Sequence, residues 1–362
     1  MKRNVKLGLY LEALDTLFFR GGRALVASIP GVSTLPSPQT LAGAITTALL
    51  QSGGADLQKA RGRLSRPDFF KAVGMEWLGE MKVRGPWLAS CDGQAAVPFY
   101  NLPKDLRKLN GERGYTRLRP RLDVPGWHGQ GKGMLPLWLE VANSEVEKDG
   151  AGYMSLHGLQ RYLKGEVPRA TEVEGSEKFY VLEERIGIGI DPEKRSSEEG
   201  KIYSIQSLRM LRGRGFYAEL VVPEEQVQFI KRISTIHWGG ERKMARLQWV
   251  EPVKVEQSEV KRMQAILFVT PSFFDGGWAP MGWQQGQCKA AAVAGPFTVS
   301  GWDLAMGQAK PTRFGVDAGS VYLFENENEL PEALSEGVED NLVGYGSYFR
   351  GEWTYGKFVY DR

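Results

Sequence analysis

Cysteine and histidine are scarce in this chain of 362 residues: two cysteines and three histidines. Cys91 and Cys288 lie far apart and have no metal-ligand spacing, which excludes a disulfide framework and a cysteine-based zinc site. His128, His157 and His237 have no HxxxH-like neighbour, so no metal and no cofactor is implied. Neither a GxxxxGK[ST] loop nor a strand-to-helix dinucleotide fingerprint is present, and no Gly-x-Ser-x-Gly elbow is seen. No apolar run is long enough to span a bilayer. The N-terminus begins with basic residues, but Glu12 and Asp15 interrupt what would be a signal-peptide core, so we read a first strand of a cytoplasmic protein.

Net charge is also small, at +3, and its distribution says more than its sum. Basic residues dominate Met1 to Arg66 and again Lys104 to Lys132, the second patch holding Lys104, Arg107, Lys108, Arg113, Arg117, Arg119, Arg121 and Lys132. Glu325 to Asp340 carries only acidic charge. Such separation suits a polyanion on one side and a basic protein surface on another, or simply solvated faces that average out.

The most organised stretch is Ile29 to Leu50. A stiff Pro/Ser/Thr loop leads into an apolar stripe at Leu41, Ala44, Ile45, Ala48 and Leu49, which is helical spacing. Ser37 is the expected N-cap and Pro38 a first-turn proline. The helix start is lined by Ser33, Thr34, Ser37, Gln39 and Thr40, with Arg20 and Arg23 upstream, a composition that suits an anion. An ordinary capped amphipathic helix has the same pattern.

Along the chain, Val5 to Leu11 alternates as a strand, and Asp68 to Met81 has helical spacing. Val83 to Ala89 and Ala95 to Tyr100 read as strands around Cys91-Asp92-Gly93. Lys104 to Gly152 lacks periodicity and reads as a long insertion with short helical pieces. Lys178 to Ile190 and Lys201 to Leu211 form a long hairpin with a charged turn at Asp191 to Gly200. Pro223 to Ile233 is helical, acids first and bases last, and Ala245 to Val250 is a strand.

This order is βαββαβ, a ferredoxin-like, RRM-like unit with large insertions. The plan returns in the second half, with strands at Met263 to Thr270, Ala291 to Thr298, Ser320 to Phe324 and Lys357 to Tyr360, and a short acidic helix at Leu330 to Ser335. The expectation is therefore an α+β protein with two ferredoxin-like domains, 1–255 and 256–362. The first would carry an insertion at about 101–177 and a projecting β-hairpin thumb at about 184–212. Each half has a glycine loop near its end: Gly239 and Gly240 with Arg242 and Lys243, then Gly344 and Gly346 with Arg350 among aromatics. Glycines there let a nucleic-acid backbone approach main-chain N–H groups, and aromatics beside arginine suit base stacking. A glycine-rich turn over a core would look similar.

Several stretches taken in order resemble one family: LFFRGGR, GVSTLPSPQTLAGA, EERIGIGID, EGKIYSIQSLRM, WGGER, AGPFTVSGWDLAMGQAKP and AGSVYLFE. Together they resemble the Cmr3-type RAMP subunit of type III-B CRISPR effector complexes, over most of the chain outside about Lys104 to Gly175. The resemblance implies a non-catalytic subunit that grips the 5′ repeat-derived tag of the guide crRNA. It also implies docking on the large polymerase-type subunit and on the backbone RAMP subunits, with target RNA met only indirectly. Carried onto this chain, Ile186, Ile188 and Ile190, with Arg209 on the return strand, resemble the thumb that wedges a base out of the RNA path. Ser33 to Gly43 resembles the tag-contacting segment, and Gly239 to Arg242 the RAMP glycine loop. Thr46 stands where many members carry a basic residue, so Arg20 or Arg23 is expected to supply that charge. Two other readings remain at this stage: a repeat-processing endoribonuclease using His128 or His157, and a purely architectural subunit.

Overall fold

The computed structural model describes residues 3–20, 31–57, 66–109, 114–122, 124, 133–140, 146, 152–190, 197–257, 262–283, 287–303, 308–326, 330 and 332–356. Arg23, His128, the hairpin turn at 191–196 and the expected strand Lys357 to Tyr360 lie outside these residues. The chain is mixed α+β with mostly antiparallel sheets and forms two compact units. One comprises Met1–Ala96, Glu177–Pro252 and Thr298–Arg313; the other comprises Val97–Ser176, Val253–Phe297 and Phe314–Arg362. Residues expected as an insertion in the first domain thus group with the second unit.

In the first unit the alternating strand Asn4–Ala13 is central. It pairs antiparallel with Arg214–Pro223 on one side, Leu9 opposite Ala218, and with Met244–Val250 on the other, Leu9 opposite Trp249. Lys82–Cys91 lies beyond Arg214–Pro223, and Thr235–His237 beyond Met244–Val250. The inward residues Leu9, Leu11, Phe216, Leu220 and Trp238 are fully or almost fully buried. That burial is the main force holding the sheet to its helix.

The helix Pro38–Ser52 packs on the sheet through Leu41, Ala42, Ile45, Thr46, Leu49 and Leu50. Its buried face is therefore one position further round than the expected stripe: Ala42 and Thr46 are inside, while Ala44 and Ala48 are only half-buried. Apolar spacing alone cannot separate these neighbours, because alanine and threonine fit either side. Pro223 to Ile233 is likewise shorter than expected, with a 3₁₀ turn Glu224–Gln226 and one helical turn Val227–Ile230.

The long hairpin is present, Tyr180–Ile190 against Ser197–Met210, with Ile186 opposite Ser204 and Ile188 opposite Ile202. The return strand starts at Ser197, so the turn is shorter than the expected Asp191 to Gly200. At its base Ile205 and Gln206 pair in parallel with Gly31 and Val32, and Leu17 exchanges both backbone hydrogen bonds with Leu208 at 2.8 Å.

In the second unit Arg262–Phe268 is central, flanked antiparallel by Val321–Asn326 and Tyr348–Glu352, with Ala290–Ala292 at the edge beyond Val321–Asn326. Its core gathers Ile266, Phe268, Phe274, Trp283, Tyr322 and Phe324. The helix near the C-terminus is Val338–Val343, not Leu330 to Ser335, and Tyr348–Glu352 is the last strand among the described residues. The same unit holds the short strands Tyr153–Ser155 and Val173–Glu174 and the helix Leu156–Leu163, N-capped by the Ser155 hydroxyl, which accepts from Gly158 N–H at 3.3 Å. Within Lys104 to Gly152 the described residues form short antiparallel pairs, Leu106–Lys108 with Tyr115–Arg117 and Arg119–Pro120 with Leu137–Trp138, where short helical pieces were expected.

Candidate nucleic-acid interface

In the first unit three sequence-distant pieces share one hydrogen-bonded ledge. Phe19 C=O accepts from Thr34 N–H at 3.0 Å, and Phe18 C=O accepts from Gly240 N–H at 2.8 Å. Leu17 and Ser33 both bond to the hairpin base, Ser33 N–H donating to Gln206 C=O at 2.8 Å. Beneath them Trp238 meets Phe19 and Phe216 edge-on, at 5.0 and 5.1 Å between ring centroids.

The glycine turn joins two strands, Thr235–His237 and Met244–Val250, where a helix-to-strand loop was expected. Gly239 has φ +92°, and a Cβ there would stand 2.6 Å from Phe18 O. Glu241 and Arg242 also have positive φ, 56° and 53°. Two adjacent non-glycine residues in the left-handed region are held there by the closed turn, in which Trp238 N–H donates to Lys243 C=O at 2.8 Å.

The predicted site residues divide by what they already bond. Arg20 and Arg242 are exposed and form no side-chain bond among the described residues. Gly239, Gly240 and Thr34 are exposed beside them. Ser33 is buried, its hydroxyl accepting from Phe19 N–H at 2.9 Å and donating to Thr34 C=O, so it ties the ledge together. Ser37 has the extended N-cap backbone, yet its hydroxyl sits 2.8 Å from the Thr40 hydroxyl and caps no backbone N–H. Gln39 donates through its amide to Ser300 C=O at 2.8 Å. Gly43 faces solvent, with nothing within 4 Å of a Cβ placed on it. Thr46 is buried and its hydroxyl has no partner among the described residues, so it takes no part in the exposed face.

On the hairpin, Ile186 is 75% exposed, and Val181 and Leu182 are exposed as well. Ile188 and Ile190 are placed by strand pairing. Arg209 is half-exposed and paired with Glu183 and Asp15.

The pattern missed one hub. Asp15 meets Lys243 at 3.2 Å and both Arg185 and Arg209 at 3.5 Å, and Glu183 joins Arg185 at 2.9 Å. Hydrogen bonds from Arg209 and Arg185 hold Glu183 down at about 2, and the Lys243 hydrogen bond lowers Asp15. The hub couples the first loop, the hairpin and the glycine turn. Its members come from separate stretches, so no local signal marks it.

The second glycine loop requires a correction. Gly344 and Gly346 are buried. Gly344 ends the helix with φ 109°, and a Cβ on Gly346 would fall 2.2 Å from Leu334 O. These glycines serve a close crossing of backbones and leave no open N–H rim. Arg350 is half-buried, its guanidinium donating to Leu330 C=O at 3.1 Å.

Among the described residues no three His, Cys, Asp or Glu side chains form a metal-binding group, and no helix is long and apolar enough to cross a membrane. His157 is exposed on the helix Leu156–Leu163.

Comparison with known proteins adds to this geometry. A chain in the cryo-EM structure of a type III-B Cmr-beta bound to cognate target RNA and AMPPnP is similar at TM-score 0.52 and 16% identity, over 87% of this chain and 86% of that one. A second Cmr-beta structure, bound to cognate target RNA, gives TM-score 0.51 at 16% identity over 87% and 86%. A chain of a Csm1–Csm4 cassette in complex with cA4 is similar at TM-score 0.36 and 15% identity, over 98% and 100%. No curated protein matches in sequence. The family model described as CRISPR-associated protein (Cas_Cmr3) matches residues 9–353, nearly the whole chain. The ledge, the hairpin and the two units therefore belong to a member of the Cmr3 family of CRISPR-associated proteins.

Proposed function

We propose that this chain is a non-catalytic subunit of a type III-B CRISPR effector that holds the 5′ repeat-derived tag of the crRNA on the ledge of its first unit. The observation that carries this reading is an exposed Ile186 on a hairpin whose base is bonded to a ledge bearing the cations Arg20 and Arg242, unpaired among the described residues. Phosphates would be met by these arginines and by the exposed glycine turn, and an unstacked base by the isoleucine face. The ferredoxin-like class belongs to the same reading. In the second unit the first sheet strand lies between the third and the fourth, with the second outside the third. In the first unit Asn4–Ala13 lies between Arg214–Pro223 and Met244–Val250, with Lys82–Cys91 outside Arg214–Pro223, the same βαββαβ order with Thr235–His237 as an extra edge strand. The large polymerase-type subunit and the backbone RAMP subunits are the expected protein partners, with the acidic stretch Glu325 to Asp340 a candidate contact. The test is binding of tag RNA against unrelated RNA of equal length, with the protein alone and in the assembled complex. Preference for the tag is expected; equal binding in both settings refutes the proposal.

A further inference from the structure

Most of the second basic patch takes no part in the ledge, and the structure sorts the cations it describes. Arg117 is 2% exposed and its Nε donates to Asp105 at 2.7 Å. Its NH2 donates to the Tyr162 hydroxyl at 3.1 Å, and that hydroxyl donates to the other Asp105 oxygen at 2.8 Å. Arg119 pairs with Glu140 at 3.1 Å. The buried triad anchors Asp105 in the middle of a tight turn, closed by Leu106 N–H donating to Pro103 C=O at 3.0 Å.

Lys104 and Arg107 flank that anchor and line one open cavity of about 390 Å³. Arg107 NH1 donates to Lys104 C=O at 2.7 Å and to Leu106 C=O at 2.8 Å, which sets the guanidinium while Nε and NH2 stay unbonded among the described residues. The Lys104 ammonium forms no hydrogen bond or ion pair among them; the partly buried Asp317 feels its charge. Leu118, Leu137 and the stretch Ala291 to Gly295, with the part-exposed Val293 at its middle, complete the lining.

The geometry assigns this cavity as a binding site for a nucleotide, with Lys104 and Arg107 on the phosphate and the base against Leu118, Leu137 and the stretch Ala291 to Gly295. A pre-set guanidinium beside an ammonium is a phosphate pair. The volume falls within the range of small-ligand pockets. The site lies wholly within the second unit and is independent of the tag-binding reading. The phosphate could belong to a free nucleotide or to a nucleotide within RNA.

The test is titration of the intact protein, at fixed salt, with AMP, adenosine, and a short oligonucleotide with and without a 5′-phosphate. AMP binding without adenosine binding, weakened about tenfold or more by Arg107→Gln or Lys104→Gln, supports a free nucleotide. Binding of the oligonucleotide alone, weakened likewise by both substitutions, supports an RNA source. Lys104→Gln removes no internal bond, so it reads the site even where Arg107→Gln disturbs the turn. No binding of AMP or oligonucleotide at millimolar concentration, or binding unchanged in the Lys104→Gln variant, overturns the assignment.

Discussion

Two glycine-to-alanine substitutions in the first unit should move stability in opposite directions. At Gly239 the backbone has φ +92°, and an alanine there pays about 1–2 kcal/mol for a conformation that L-residues avoid. The new Cβ would also stand 2.6 Å from Phe18 O, a backbone atom that accepts the Gly240 hydrogen bond and cannot rotate away. Displacing it weakens that bond, worth about 1 kcal/mol net. The sum is about 2–3 kcal/mol, which for a unit of this size is a Tm lower by roughly 5–10 °C. At Gly43 the helix is open, with nothing within 4 Å of the added methyl, so alanine should stabilise by about 0.5–1 kcal/mol and raise Tm by a few degrees. Thermal unfolding of the two variants beside the parent chain reads both signs. A loss of less than about 0.5 kcal/mol in Gly239→Ala would show that the turn is not pressed on the Phe18 backbone, and destabilisation by Gly43→Ala would show that the helix face is not free. RNA binding separates function from folding: if the tag lies along the helix, Gly43→Ala weakens it while stabilising the protein.

Asp105→Ala leaves Arg117 buried without its carboxylate and should cost about 3–5 kcal/mol, against about 1–2 kcal/mol for Tyr162→Phe; chemical denaturation should rank them in that order. Glu183 titrates lower in the folded chain than the ordinary carboxylate, so its contribution is complete above about pH 4.5 and is lost as pH falls towards about 2. Protection factors of the amides at the hairpin base, taken relative to the intrinsic exchange rate at each pH, should fall through that window, and Glu183→Gln should flatten the fall. Ile186→Asp should leave Tm unchanged, because the side chain is exposed, yet lower affinity for tag RNA in a binding titration. Reversing Arg20 and Arg242 should leave complex assembly intact while reducing the salt slope of RNA binding by about 0.7 for each phosphate no longer neutralised.

Period-two alternation at Val5 to Leu11 and in the long hairpin was sufficient to place both elements, because a strand with one buried face writes that face into its sequence. Glycine was less readable. Gly239 and Gly346 both have positive φ, but one sits at an exposed turn and the other beneath Leu334, and nothing local distinguishes them. Charge was the least readable. Arg117 looked like part of a basic surface and is buried, because its partners Asp105 and Tyr162 lie 12 and 45 residues away in sequence. The Asp15 hub escaped for the same reason, its cations arriving from the hairpin and the glycine turn. Pairings that depend on tertiary closure leave no periodic trace.

Among the described residues the long hairpin is tied to other strands at its base alone. Its last rungs tied to other strands are Ile205 and Gln206, and the partner strand runs on from Arg185 to Ile190, about 16 Å at about 3.3 Å per residue. A ribbon fixed in this way is a cantilever, whose sideways stiffness falls with the cube of its free length. By that scaling the described rungs at Ile186 and Ile188 yield to a sideways load more easily than the foot at Ile205 and Gln206. Under the proposed role, the rungs at Ile205 and Gln206 fix the spacing offered to an RNA, and Ile186 and Ile188 adjust to it.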